Sequence, residues 1–279
     1  MSVKIVLDSG GDTPPELARK YNLAIVPLKI RFGSEEFIDT VNLTTDQFWQ
    51  KCQESEDFPQ TAAPSSGDFQ SSFLEAKQAG HDQVICITLS SELSATYQSA
   101  TLAAREVANE IEAEVIDSRL ATFAMGTLAI NAAIEAEKGA DLKTIATLIK
   151  SQIPRMHAFG ALDTLDNLRK GGRIGTAQAL FGSLLSFKPI INVANGTIEA
   201  ESKQRTRSKA LAYLIEKTQS FGSVTDLAII HANAPDVDDF VDRIKSQTGI
   251  DQITIAKIGP VIGSHAGPRT MGVILRTLD

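Results

Sequence analysis

The feature that most limits how this chain folds is an alternation repeated through its first half. A short apolar run leads into a polar turn, and apolar residues at helical spacing follow. Val3-Lys4-Ile5-Val6-Leu7 runs into Asp8-Ser9-Gly10-Gly11, and Thr13-Pro14-Pro15-Glu16 places proline at the first positions of a helix. In Ala24 to Phe32, Leu28, Ile30 and Phe32 alternate with Lys29 and Arg31, which predicts one half-exposed strand at a sheet edge. Val84 to Leu89 precedes a helix with an expected inner face of Tyr97, Ala100, Ala104, Val107 and Ile111. Glu114 to Ser118 reads as the next strand, and Ala121 to Lys138 as a helix apolar nearly all round, closed by Gly139. This alternation predicts a parallel sheet with right-handed crossovers, and places any ligand at the carboxyl ends of its strands.

Past residue 152 the pattern changes. Asn195-Gly196 between alternating apolar residues is a hairpin signal, and strands are expected over 226–231, 252–258 and 271–277, with a helix over 235–247. The expected fold class is therefore α/β in two domains. Residues 1–152 would form a parallel-sheet α/β domain, and residues 153–279 an α+β domain with a largely antiparallel sheet. The cleft between them is the expected place for a ligand tunnel.

Composition narrows the function. At 279 residues with 43% apolar and 22% charged side chains, the chain reads as a globular protein with a sizeable core. No apolar run approaches the ~18–20 residues of a spanning helix. The N-terminus reads straight into a strand and lacks a signal-peptide pattern, so cytoplasmic residence is the expectation. A net charge of −7 with 6% aromatics argues against nucleic acid as a partner. Cys52 and Cys86 make no CxxC, and His81, His157, His231 and His265 show neither HxH nor HExxH, so no metal site and no cofactor are expected.

Two segments point to an anion. Ser90 to Ala100 (SSELSATYQSA) places Ser90, Ser91, Ser94, Thr96 and Ser99 around a predicted helix start, where unpaired N–H groups and a partial positive charge favour negative groups. Ordinary capping explains that turn when it is taken alone. Gly259 to Pro268 (GPVIGSHAGP) carries His265. Together they read as a grip for a negatively charged head group. The alternative is an esterase or thioesterase with Ser94 as nucleophile, His265 as base and Asp117 orienting it. No GxSxG elbow is present, and neighbouring hydroxyls suit hydrogen bonding better than one activated oxygen. In Lys170 to Gly175 a glycine ends the helix Leu165 to Lys170, and Arg173 lies in a loop from which it can reach an anion. Thr61, taken alone, is a loop hydroxyl. The basic run Lys203 to Lys209 is by default a solvated helix start, with a docking patch for an acidic partner as the second reading.

SSELSATYQSA, Val115 to Ser118 (VIDS), Leu168 to Ile174 (LRKGGRI), Phe187 to Ile191 (FKPII) and GPVIGSHAGP resemble, in order and nearly end to end, the DegV family. These are fatty-acid-binding proteins, several of them binding subunits of a bacterial fatty acid kinase. The resemblance implies one long-chain fatty acid in a tunnel between two domains, its carboxylate held by Thr61, Ser94 and His265. Ser94 is preferred to Ser91 for its place before Ala95-Thr96-Tyr97, and Ser91 stays open. It also implies a separate ATP-dependent kinase subunit as partner, Arg173 and Arg205 as partner or head-group contacts, and transient contact with a membrane surface. The sequence departs from the family pattern at Ala62-Ala63, Ala95 and Arg269, the last placing a charge beside His265. An imidazole able to protonate is expected to help offset the cost of burying the carboxylate. Tunnel lining is looked for in Phe123, Met125 and Ile130 and in the 180–187 segment, where ordinary core is the plainer reading.

Overall fold

A computed structural model describes residues 2–180 and 187–278. A parallel sheet is built from β1 (Val3–Asp8), β2 (Ala24–Val26), β6 (Gln83–Thr88) and β7 (Glu112–Asp117), in the order β2-β1-β6-β7. A six-stranded sheet takes β8 (Met156–Ala161), β9 (Lys188–Ala194), β10 (Thr197–Gln204), β11 (Val224–His231), β12 (Thr254–Lys257) and β13 (Met271–Thr277). Its order is β10-β9-β8-β13-β11-β12, antiparallel except for β11 with β12. A third, small sheet joins β3 (Lys29–Phe32), β4 (Glu35–Ile38) and β5 (Gln60–Ala62) in the order β4-β3-β5.

The single strand expected over Ala24 to Phe32 is thus two strands in different sheets. Pro27 has no N–H to give a ladder, and the Leu28 N–H goes sideways to Ser9 Oγ at 3.0 Å. β2 is an edge strand as expected, whereas β3 lies in the middle of its sheet.

The parallel sheet is covered on both faces. Val6, Val84 and Cys86 pack under α3 (Ser66–Gln78) and α4 (Thr96–Glu106), while Ile5, Leu7, Ile85 and Ile87 face the opposite way. The α4 inner face is Thr96, Ala100, Ala103 and Val107, turned slightly from the expected one. Helices α1 (Pro15–Lys20) and α2 (Thr45–Glu54) flank the first turn and the small sheet. On the far side of the molecule α8 (Arg207–Ser220) and α9 (Val237–Thr248) cover Phe159, Ile229, Val273 and Leu275 of the six-stranded sheet.

Helix α5 (Phe123–Glu137) explains why the two large sheets stay together. It touches β1 and β6 on one side and β8, β11 and β13 on the other, with α6 (Leu142–Gln152) alongside. Phe123 through Ala129 are all buried, as a helix between two sheets requires. At Gly126 a methyl group would meet Thr13 Oγ1 at 2.6 Å and the Gly11 carbonyl oxygen at 2.8 Å. Gly126→Ala is therefore expected to destabilise the fold by about 1–3 kcal/mol through overpacking, more than offsetting the ~1 kcal/mol of helix propensity alanine brings. A lowered urea midpoint with an unchanged m-value would show it, and an unchanged midpoint would contradict it.

Candidate functional site

Where the carboxyl ends of β1 and β6 face the six-stranded sheet, a cavity of about 200 Å³ remains. Since roughly 10–15 Å³ of such space suffices for one water molecule, this is no packing defect. Its walls are largely aliphatic: Leu28, Leu89, Leu93, Leu162, Leu168, Ile191, Ile230 and Val261 are among them. Phe123 and Met125 belong to the core instead, so the cavity takes Ala121 and Thr122, just before α5, rather than the helix itself. Leu180 and Phe187 pack in an apolar cluster with Leu162, Leu168 and Ile191; residues 181–186 of the expected lining lie outside the described residues.

The polar groups on this cavity include Thr61, Ser94, Arg173 and His265. Thr61 stands on β5, opposite Ile30 of β3. Ser65 ends that segment by capping α3, accepting from the Asp68 N–H at 3.2 Å while Asp68 accepts from the Ser65 N–H at 2.8 Å. Thr61 is thus a strand residue, not the loop hydroxyl its sequence neighbours imply. His265 lies near the end of α10 (Pro260–Ala266), and its Nε2 shares a hydrogen bond with Thr61 Oγ1 at 3.0 Å. Residues far apart in the chain meet here.

Ser94 Oγ lies 2.8 Å from Thr96 Oγ1 and accepts from the Thr96 N–H at 3.3 Å, so it also serves the start of α4. Ser91 is engaged elsewhere, donating to Asp117 Oδ2 at 2.5 Å. Asp117 accepts as well from the backbone N–H groups of Ser91 and Arg119 at 3.1 and 3.0 Å. The Ser94–His265–Asp117 relay is therefore not assembled. Asp117 braces the turn, and no hydrogen bond joins Ser94 to His265 among the described residues.

A second, more open pocket adjoins the cavity and shares Leu93, Ser94, Ala95, Arg173 and Ile198 with it. Arg173 stands at that junction, donating from Nε to the Leu93 carbonyl at 3.1 Å and from Nη1 to the Gly171 carbonyl at 2.8 Å. No carboxylate neutralises it among the described residues. The β9–β10 hairpin closes the rim: Asn195 and Gly196 both take positive φ, the two-residue turn their sequence predicts, and the Gly196 carbonyl accepts from Ser90 Oγ at 2.7 Å. Arg205 is exposed beyond the end of β10 and does not line the cavity, and Arg269 turns away to Asp163 at 3.4 Å rather than toward His265. In the basic run, Arg207 is a structural residue, paired with Asp236 at 2.6 Å.

Burial, with the Arg173 charge adding to it, pushes the His265 imidazole down to about 4, so the ring is neutral near pH 7. The sign follows: the unfolded ring protonates below its ordinary ~6.5 while the folded ring does not, so this group costs stability as pH falls from there toward 4. An NMR titration of the ring should show a midpoint near pH 4; a midpoint near 6.5 would disprove its burial.

A glycine ends α7 (Asp166–Lys170), as expected: Gly171 follows the helix at φ −77° and Gly172 takes the positive φ. Gly171 is small because a Cβ there would stand 2.2 Å from His265 Nδ1. The sequence signal was the second glycine, one more than the turn needs. Gly171→Ala is expected to displace the ring and weaken ligand retention about tenfold, with no further loss in a His265→Ala background. Additive losses in that cycle would refute the contact.

Between the two sheets that share α5 there is thus an apolar cavity whose polar groups include hydroxyls, an imidazole that burial keeps neutral and the Arg173 guanidinium. The chain belongs to the DegV family: a family model described as "Uncharacterised protein, DegV family" matches residues 2–277. The chain is 34% identical over 277 residues to the DegV domain-containing protein SCO2569 of Streptomyces coelicolor, covering 98% of each chain. Among solved structures it resembles a fatty-acid-binding DegV family protein from Thermus thermophilus, with TM-score 0.90, 28% identity and full coverage of both chains. It also resembles DegV, a fatty acid binding protein from Bacillus subtilis, with TM-score 0.89, 28% identity and 99% coverage of each.

Proposed function

We propose that this protein binds a long-chain fatty acid in the cavity, holds its carboxylate at Thr61, Ser94 and His265, and presents it to a separate kinase chain that makes the acyl phosphate. The observation that carries this reading is the Thr61–His265 hydrogen bond at the polar part of an otherwise aliphatic cavity. If His265 Nε2 donates to Thr61 Oγ1, the Thr61 hydroxyl proton is left to donate to an anion, and Ser94 offers a second hydroxyl nearby. The solved relatives that bind fatty acids support the same ligand class.

The energetics are favourable. Burying ~14 methylenes at about 0.8 kcal/mol each gives roughly 11 kcal/mol gross. Several kcal/mol are returned on immobilising the ligand and dehydrating its carboxylate. The tail thus supplies affinity, while neutral donors and the Arg173 charge fix the head group. Arg173 and the exposed Arg205 are proposed as contacts for the kinase. The phosphoryl transfer is assigned to the partner.

Native mass spectrometry of the purified protein should reveal a bound fatty acid, or uptake of added palmitate or oleate. A protein that carries none and takes up none would end the proposal. His265→Ala is expected to weaken palmitate about tenfold, because Thr61 loses the donor that leaves its own proton for the acid group, and to weaken the methyl ester much less. Equal losses for acid and ester would remove His265 from the head-group site. A fluorophosphonate probe should leave Ser94 unlabelled.

A further inference from the structure

The turn Asp8-Ser9-Gly10-Gly11-Asp12 holds two buried carboxyls that the cavity does not use. They border a separate pocket together with Asp39. Yet Asp8 accepts from the Gly10 and Leu89 N–H groups at 2.9 and 2.7 Å, and Asp12 from the Gly259 N–H at 2.9 Å and Thr122 Oγ1 at 2.7 Å. With their oxygens already engaged, these acids are ties within the protein rather than a ligand set.

The partners of Asp12 are the telling ones. Gly259 is the residue from which α10 starts, and α10 carries His265. Thr122 lines the cavity. Gly259 packs so closely that a Cβ on it would stand 2.8 Å from Asp12 Oδ1. Asp12 itself holds a φ of 41° at the end of its turn, with its N–H on the Ser9 carbonyl. Farther along, α10 is held by Asn167 Nδ2, which donates to the Ser264 carbonyl at 3.2 Å, and just before it Trp49 Nε1 donates to the Ile258 carbonyl at 3.3 Å.

We propose that Asp12 is a positioning residue for the head-group site: its bonds to the Gly259 N–H and Thr122 Oγ1 set α10 against the cavity wall and so place the His265 imidazole on Thr61. This rests on the reading that His265 holds the ligand's acid group. Burial, with the Asp39 and Asp8 charges adding to it, raises the Asp12 carboxyl to about 8, so near neutrality it largely keeps its proton. Asparagine keeps the acceptor for the Gly259 N–H, and its amide meets Thr122 Oγ1 as a donor where the carboxyl oxygen accepted. Alanine removes both ties.

The test compares wild type, Asp12→Ala and Asp12→Asn by the ring NMR signals of His265 without ligand, and by affinity for palmitate and its methyl ester. Asp12→Ala is expected to move the His265 signals and to weaken palmitate about tenfold while changing the ester about twofold or less, and Asp12→Asn to restore both. Unmoved His265 signals, equal losses for acid and ester, or failure of Asp12→Asn to restore the wild-type signals would each overturn the proposal. If Asp12→Ala does not fold, Thr122→Val removes one tie at similar volume; it should move the same signals, and unmoved signals would again overturn the proposal. A wild type that binds neither lipid defeats the fatty-acid reading, and the NMR comparison still decides the role of Asp12.

Discussion

The structure depends on one burial problem. A helix that is apolar on every side through Phe123 to Ala129 cannot be satisfied by a single sheet, so α5 draws the parallel sheet and the six-stranded sheet onto its opposite faces. At roughly 25 cal/mol per Å² of apolar surface, each side chain buried on α5 adds to the hold between the two sheets. It also dictates where space is left. The helix begins only at Phe123, so among the described residues the space between the strand ends and the second sheet is bordered by Ala121 and Thr122 rather than filled by the helix. The cavity is the region α5 does not reach.

Much of this was legible in sequence because it was local. Short β-rich runs, the proline-led start of α1, the Asn195-Gly196 hairpin and the all-round apolar helix each carry their own period or turn chemistry. The Ser90 to Ala100 turn and the Gly259 to Pro268 segment, most of which folds as α10, stand out for the same reason. What stayed hidden depends on residues distant in the chain. Thr61 has no local pattern of its own, and only the meeting of β5 with α10 gives its hydroxyl a partner. Gly171 ends α7, and only the placing of the imidazole shows why a side chain there is excluded. Pro27 was passed over although it lacks the N–H a continuous strand needs, and that oversight merged β2 with β3. The charge of His265 was equally beyond reach, because desolvation is a property of the assembled site.

The same lesson applies to the polar residues that hold the loops. In sequence Ser90 reads as part of an anion-binding turn and Asp117 as the orienting acid of a catalytic relay, while Asp8 and Asp12 stand in a polar turn after β1. In the structure each bonds instead to a backbone or side-chain donor or acceptor of another loop at the cavity. Buried polar groups must be paired, and pairing them with neighbouring turns turns a desolvation cost into rigidity. The groups left to receive a ligand are those with hydrogen-bonding capacity still to give.

This division fixes the electrostatic character of the site. Inside the cavity the donors are neutral: hydroxyls and an imidazole that burial keeps uncharged. The unneutralised cation, Arg173, stands where the cavity meets the open pocket. A buried imidazolium without a counter-ion would itself carry a large desolvation cost, whereas neutral donors can wait in the empty site cheaply. An incoming carboxylate would then meet hydrogen-bond donors within and a guanidinium at the junction, whose charge is only partly screened by water. On the proposed function, such a site would orient the acid group and leave one side of it facing the opening, within reach of the proposed partner.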